Sequence, residues 1–251
     1  MIDVGIITAP RKVCYLGESL DSYFDQWLIK PHVFHEPNSP NYVNKSRVVI
    51  HQNEETLGCV RNWMHAARWM LDNTTNRFIM MCEDDIMWTP GAKQNIETLL
   101  KVLTGELINP MVQKLLQVNS IGFISPYCST MNAPVSKRRE VGWRPARYRS
   151  AGWCGALCMI FPRLSLQKLI GDEERFIKAA TWTPDSLRRI NKFTGPVFLD
   201  YAIGYIMVHC EKLQLVTHVP TLIQHLGEVS TFDVNNLSHN VGHKSRQPYL
   251  G

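Results

Sequence analysis

Residues 78–90 read Phe78-Ile79-Met80-Met81-Cys82-Glu83-Asp84-Asp85-Ile86-Met87-Trp88-Thr89-Pro90, a short apolar run that delivers three carboxylates in succession. A continuous apolar run of this length predicts a strand covered on both faces, as in the parallel sheet of an α/β domain. The carboxyl end of such a strand is where open α/β sheets bind ligands. Three adjacent carboxylates repel one another there unless a cation or hydrogen-bond donors neutralise them. Magnesium and manganese suit that role, because they take oxygen ligands from one or two carboxylates and fill the rest of their shell with water and phosphate oxygens. The plainer reading is a solvated loop that opens a helix, with Thr89 as N-cap and Pro90 at the first helical position.

The chain around this stretch has 251 residues, 45% of them hydrophobic and 20% charged, the balance of a folded globular protein rather than a disordered one. That length suits one α/β domain. No apolar run approaches the ~18 residues needed to cross a bilayer, and Met1 leads directly into the strand-like run at 2–8, so a cytosolic protein of a bacterial or infected cell is expected. Seven cysteines scattered through apolar segments fit reduced, buried thiols. Cys154 and Cys158 form no Cys-x-x-Cys pair, and His239 and His243 lie in a polar tail without cysteine partners, so a zinc site is not expected.

The net charge of +5 is concentrated in one segment. Residues 136–149 hold six basic side chains (Lys137, Arg138, Arg139, Arg144, Arg147, Arg149) and one acid, Glu140, a local +5 that leaves the rest neutral in sum. Trp143 and Tyr148 lie among the arginines. The segment reads as a solvated charge run or as a functional loop in which cations meet phosphates and rings meet bases.

Periodicity predicts strands at 3–8, 32–35, 47–51, 78–82, 120–125, 151–162 and 215–219, and helices at 18–28, 54–72, 91–103, 110–116, 164–170, 173–180, 184–190 and 199–209. Ala9, Pro10, Arg11 and Lys12 form the loop leaving the first strand, where a basic residue can pair with phosphate. Glu36 follows the second strand and Asn62 lies near the start of a helix, both in reach of a nucleotide by position. Gly152 and Gly155 open the strand at 151–162 with small residues that let a ligand approach the backbone. Asp200 is the one acid in an apolar helix, readable as a dipole-favoured cap or as a general base. His225 reads equally as a core histidine or as a late metal ligand.

Six blocks then fall in one order: VGIITAPRKVCYLGESLDSYF, GCVRNW within a helix, MCEDDIMWTPG, AGWCGALCMIFPR, LDYAIGYIM and PTLIQHLGEVST. Together they resemble the GT-A type nucleotide-sugar-dependent glycosyltransferases, bacterial and viral members first, and more distantly the N-acetylglucosaminyltransferases with an EDD motif. The resemblance implies a single GT-A domain with a Rossmann-like mixed central sheet flanked by helices. Residues 1–125 would form its nucleotide-sugar-binding half and 126–251 its acceptor-binding half. It implies donor contacts from Thr8, Ala9, Pro10, Arg11, Glu36, Asn62, Glu83, Asp84 and Gly155, a manganese or magnesium ion on Asp85 and His225, and Asp200 as the base of an inverting transfer from a UDP-sugar.

For the acceptor, the basic run favours a hydroxymethylated pyrimidine in phage-type DNA, bound through Arg138, Arg139, Trp143, Arg144, Arg147 and Tyr148. A surface polysaccharide, a lipid-linked or a protein acceptor is the alternative. From other classes, a non-catalytic nucleotide-sugar-binding module or a nucleotidyltransferase would also use such a sheet.

Overall fold

A computed structural model of the chain describes residues 1–10, 13–39, 45–115, 120–128, 141–146, 155–181 and 199–226. The first strand, β1 (Ile2–Thr8), leads into α1 (Leu16–Phe24), β2 (His32–His35) and β3 (Val49–Gln52), followed by α2 (Cys59–Asn73). β4 (Phe78–Glu83) is the quoted apolar run, and it passes through the acidic turn into a short strand, β5 (Ile86–Trp88). After α3 (Ala92–Thr104) and α4 (Pro110–Leu115) come β6 (Ile121–Ser125), β7 (Gly142–Pro145) and β8 (Cys158–Pro162). Helices α5 (Arg163–Ile170), α6 (Glu173–Thr181) and α7 (Leu199–Tyr205) follow, the last continuing into a π-helical turn at Ile206–Cys210, and the described chain closes with β9 (Gln214–Val219) and β10 (Ile223–His225).

Eight strands form one sheet in the order β3-β2-β1-β4-β8-β6-β9-β7. β3, β2, β1 and β4 run parallel, while β8 is antiparallel to both its neighbours, β4 and β6. β6 and β9 are parallel, and β7 lies antiparallel on the edge beside β9. This is the Rossmann-like mixed central sheet flanked by helices that the GT-A resemblance implies.

Side-chain alternation explains why the sheet is covered twice. In β4, Phe78, Met80 and Cys82 join one core with Val4, Ile6, Cys158 and Ile160, on the side of α1 and α3. Ile79 and Met81 join the other, with Met159, Phe161 and α2, α5, α6 and α7. Period-2 burial on both faces is what makes the run read as continuously apolar. α2 lays Trp63, Ala66, Ala67 and Met70 on the second face at helical spacing.

Three departures from the sequence expectation bear on the site. Thr89 is not a helix cap: its hydroxyl donates to Leu222 O at 2.8 Å, and α3 begins at Ala92 behind Gly91, which takes φ +78°. The stretch 221–226, for which periodicity predicts no element, holds β10, which pairs antiparallel with β5 in a separate two-stranded sheet. Residues 142–145, expected in a long loop, form β7. The helix expected at 184–190 lies outside the described residues, as do His239 and His243. No helix of the described residues is long and apolar enough to cross a membrane.

Candidate active site

β1, β2 and β3 step outward in one direction, and the chain then returns to place β4 on the other side of β1. The carboxyl ends of β1 and β4 therefore flank the point where strand order reverses, the general ligand crevice of such sheets. Thr8 ends β1 and Asp84 follows β4, and the register that pairs Ile7 with Glu83 sets them side by side. The Thr8 hydroxyl donates to Asp84 Oδ2. Asn62, on the first turn of α2, donates to Thr8 O at 3.4 Å and accepts from Asn53 Nδ2 at 3.0 Å, both side chains being buried. Ala9 and Pro10 continue from β1, and Arg11 lies outside the described residues.

Glu36 stands at the end of β2 and is 1% exposed. Its backbone N–H donates to Thr8 O at 3.4 Å, and its Oε2 accepts from Leu57 N at 2.8 Å. Burial raises its carboxyl above the usual range, opposed by N–H donation from Leu57 and Gly58. Oε1 is buried and meets no hydrogen-bond donor among the described residues. Glu36 thus both anchors the turn that enters α2 at Gly58, where φ is +77°, and presents an acceptor atom.

The two-stranded sheet does what no local pattern announces. Pairing of His225 with Ile86, and of Leu226 N with Asp85 O at 2.7 Å, carries a residue 140 positions away onto the acidic turn. His225 Nε2 lies 3.0 Å from Asp85 Oδ2, the carboxylate buried and the imidazole partly exposed. Among the described residues no three His, Cys, Asp or Glu side chains form a ready cage for a metal. One carboxylate and one imidazole fit a hard cation that completes its shell with water and phosphate oxygens. Asp84 is instead engaged by the Thr8 hydroxyl.

Gly155 and Asp200 meet where the chain enters β8. Glu83 N donates to Leu157 O at 2.9 Å, which aligns the segment entering β8 with the end of β4. Two residues earlier, Gly155 N donates to Asp200 Oδ2 at 3.0 Å, and Asp200 Oδ1 accepts from Tyr201 N at 2.8 Å. Gly155 has φ +100°, and a Cβ there would lie 2.8 Å from the Tyr127 ring. Both conditions require glycine. Gly152 lies outside the described residues. Sequence reading missed Asn53 and Tyr127; the polar Gln52-Asn53 pair directly after β3 was the available signal for the first, and nothing local marks the second.

The acceptor candidates divide. Arg138, Arg139, Arg147 and Tyr148 lie outside the described residues. Arg144 sits on β7 with its guanidinium donating to Val141 O at 3.4 Å. Trp143 does not fit the expected place on an acceptor-stacking surface: it is 9% exposed, its indole N–H donates to Asn95 O at 3.3 Å, and its ring meets His218 edge to face at 4.8 Å. Alternation along β7 turns it into the core.

The sequence matches no family model and no curated protein. Among solved structures, the chain is similar to the mannosyltransferase PcManGT from Pyrobaculum calidifontis, in complex with GDP-Man and Mn2+. The identity is 14% over 85% of this chain and 54% of that one, with a TM-score of 0.45. It is also similar to S. aureus TarS 1-349, with 10% identity over 86% and 57% of the two chains and a TM-score of 0.47. The chain spans little more than half the length of either.

Proposed function

We propose that this chain is a metal-dependent glycosyltransferase that moves a hexose from a UDP-sugar to an acceptor hydroxyl with inversion. The observation that carries the reading is the 3.0 Å contact of His225 with Asp85, beside the Thr8–Asp84 bond at the strand-order reversal. Thr8, Ala9, Pro10, Glu36, Asn62, Glu83 and Asp84 would bind the nucleotide and ribose, with the free Oε1 of Glu36 taking a donor N–H or O–H. The backbone at Gly155 would line the sugar.

A manganese or magnesium ion on Asp85 and His225 would offset the charge that develops on the departing nucleoside diphosphate. Asp200 takes the proton of the acceptor hydroxyl as it attacks the anomeric carbon from the face opposite the leaving group. Its two backbone N–H bonds hold the carboxylate in place for that role.

For the acceptor, the basic run at 136–149 supports a polyanion, and a hydroxymethylated pyrimidine in DNA remains the reading it favours. The support is charge alone, since Trp143 faces the core. The test incubates the protein with UDP-hexoses, with and without manganese, and with hydroxymethylated DNA, plain DNA or oligosaccharide. Manganese-dependent UDP release is expected, with label on hydroxymethylated DNA. Label on oligosaccharide alone would move the acceptor to a glycan, and no UDP release from any donor would remove the enzymatic reading.

A further inference from the structure

We propose that His32 and His51, on the paired strands β2 and β3, form a two-imidazole seat for a borderline divalent transition metal such as Zn2+, Ni2+ or Cu2+. His32 opens β2 and His51 lies in β3, the edge strand paired with it. His32 Nδ1 and His51 Nε2 are 3.0 Å apart. Two nitrogens at about 2.1 Å from a shared ion stand about 3.0 Å apart at the right angles of a nickel or copper site and about 3.4 Å apart at the tetrahedral angle of zinc, so the rings need to turn and part by only a few tenths of an ångström to share a metal.

The rings are held from several sides. They stack on each other with centroids 5.3 Å apart, Trp69 of α2 closes over both at 4.8 and 4.1 Å, and Phe34 stacks on His51 at 4.6 Å. Seating both ligands on paired strands under a tryptophan leaves little rotamer freedom to lose on binding. Burial lowers the pKa of both rings and keeps them neutral, the form that binds a metal, with Asp3 opposing that in part at His32. Both rings are partly exposed, so the pair is open to solution.

In the metal-free pair one imidazole N–H donates to the other's lone pair. Binding moves that proton to the ring's second nitrogen or to solvent and directs both lone pairs to the ion. No third metal-ligating side chain completes the set among the described residues, so water fills the remaining positions. His65, exposed on α2 one turn before Trp69 and edge to face with Phe34 at 6.3 Å, would supply a third nitrogen on binding. Two imidazole nitrogens with no carboxylate beside them favour zinc, nickel and copper over magnesium.

The test uses tag-free full-length chain, stripped with chelator, in thermal melts with ZnCl2, NiCl2 or MgCl2. A rise in melting temperature with zinc and nickel but not magnesium is expected, lost in His32→Asn and His51→Asn, reduced in His65→Ala and retained in Asp85→Asn. Loss in Asp85→Asn with retention in His51→Asn would overturn the proposal and place the ion at the crevice. Should the asparagine variants fail to fold, the wild type decides: zinc should protect His32 and His51 from diethylpyrocarbonate at least about tenfold. Equal modification of both with and without zinc would overturn it. Neither readout depends on sugar transfer.

Discussion

Gly155 N donates to Asp200 Oδ2 at 3.0 Å, so the glycine proposed to line the donor sugar is fixed by the carboxylate proposed as base. Asp200→Asn keeps one accepting oxygen for two backbone N–H groups. It is expected to lower kcat by about 10²–10⁴-fold, the range of a lost general base, with the KM for donor little changed. A raised donor KM with kcat preserved would make Asp200 a positioning residue only.

Gly155→Ala is expected to destabilise the fold by about 1–3 kcal/mol, because the residue sits in a backbone region costly for other residues and its methyl would overlap the Tyr127 ring. Combining it with Tyr127→Ala separates the causes. Recovery of the urea midpoint would assign the cost to the overlap, and no recovery would assign it to the backbone.

Asp85→Asn and His225→Asn are each expected to reduce manganese-dependent UDP release by at least about 100-fold, on the scale of losses at metal sites. Thermal stability should change little. Isothermal titration of manganese in the presence of UDP checks the cause: wild-type affinity in either variant would exclude that residue as a ligand.

Burial raises the Glu36 carboxyl above its ordinary value of 4.5. A raised acid stabilises the fold fully below its unfolded pKa, and that contribution is lost as pH rises through the folded value. Wild-type stability should therefore carry a falling component from about pH 4.5 upward. Glu36→Gln, neutral throughout, is expected to flatten it, gaining relative stability toward neutral pH while weakening donor binding. Urea midpoints at intervals from pH 4 to pH 7 check this, and parallel profiles for the two proteins would contradict it.

Trp143→Ala is expected to cost about 3–5 kcal/mol as a truncated core aromatic, seen as a large drop in melting temperature, whereas Arg144→Ala should stay within about 0.5 kcal/mol of wild type. A tryptophan variant of unchanged stability but reduced acceptor binding would show that the ring meets substrate.

How far the site was legible follows from where each signal lives. β4 was readable because its own residues are buried on both faces, and Asp84 and Asp85 followed from its end. α2 was readable from Trp63, Ala66, Ala67 and Met70, though Gly58 starts it later than the pattern suggested, because Glu36 fixes the preceding turn. β5 and β10 were not: each has three residues, too few for a period, and each is a strand only because the other is beside it. Trp143 was misplaced because a charged neighbourhood in sequence says nothing about which way an edge strand alternates. Tyr127 was invisible, since its importance lies in the space that Gly155 leaves.

The ribbon joining Ile86 to His225 is also the pairing that ties the acidic turn to the end of the described chain. Its two halves are separated by most of the folded chain, so closing it carries the entropy of a very long loop, met only once the intervening strands have brought the ends near. A chain ending at β9 contains every strand of the eight-stranded sheet but lacks the imidazole that meets Asp85. Metal-dependent chemistry in this protein would thus be licensed by the last few residues of the described chain, and a nascent or C-terminally clipped molecule would hold the crevice without its late histidine.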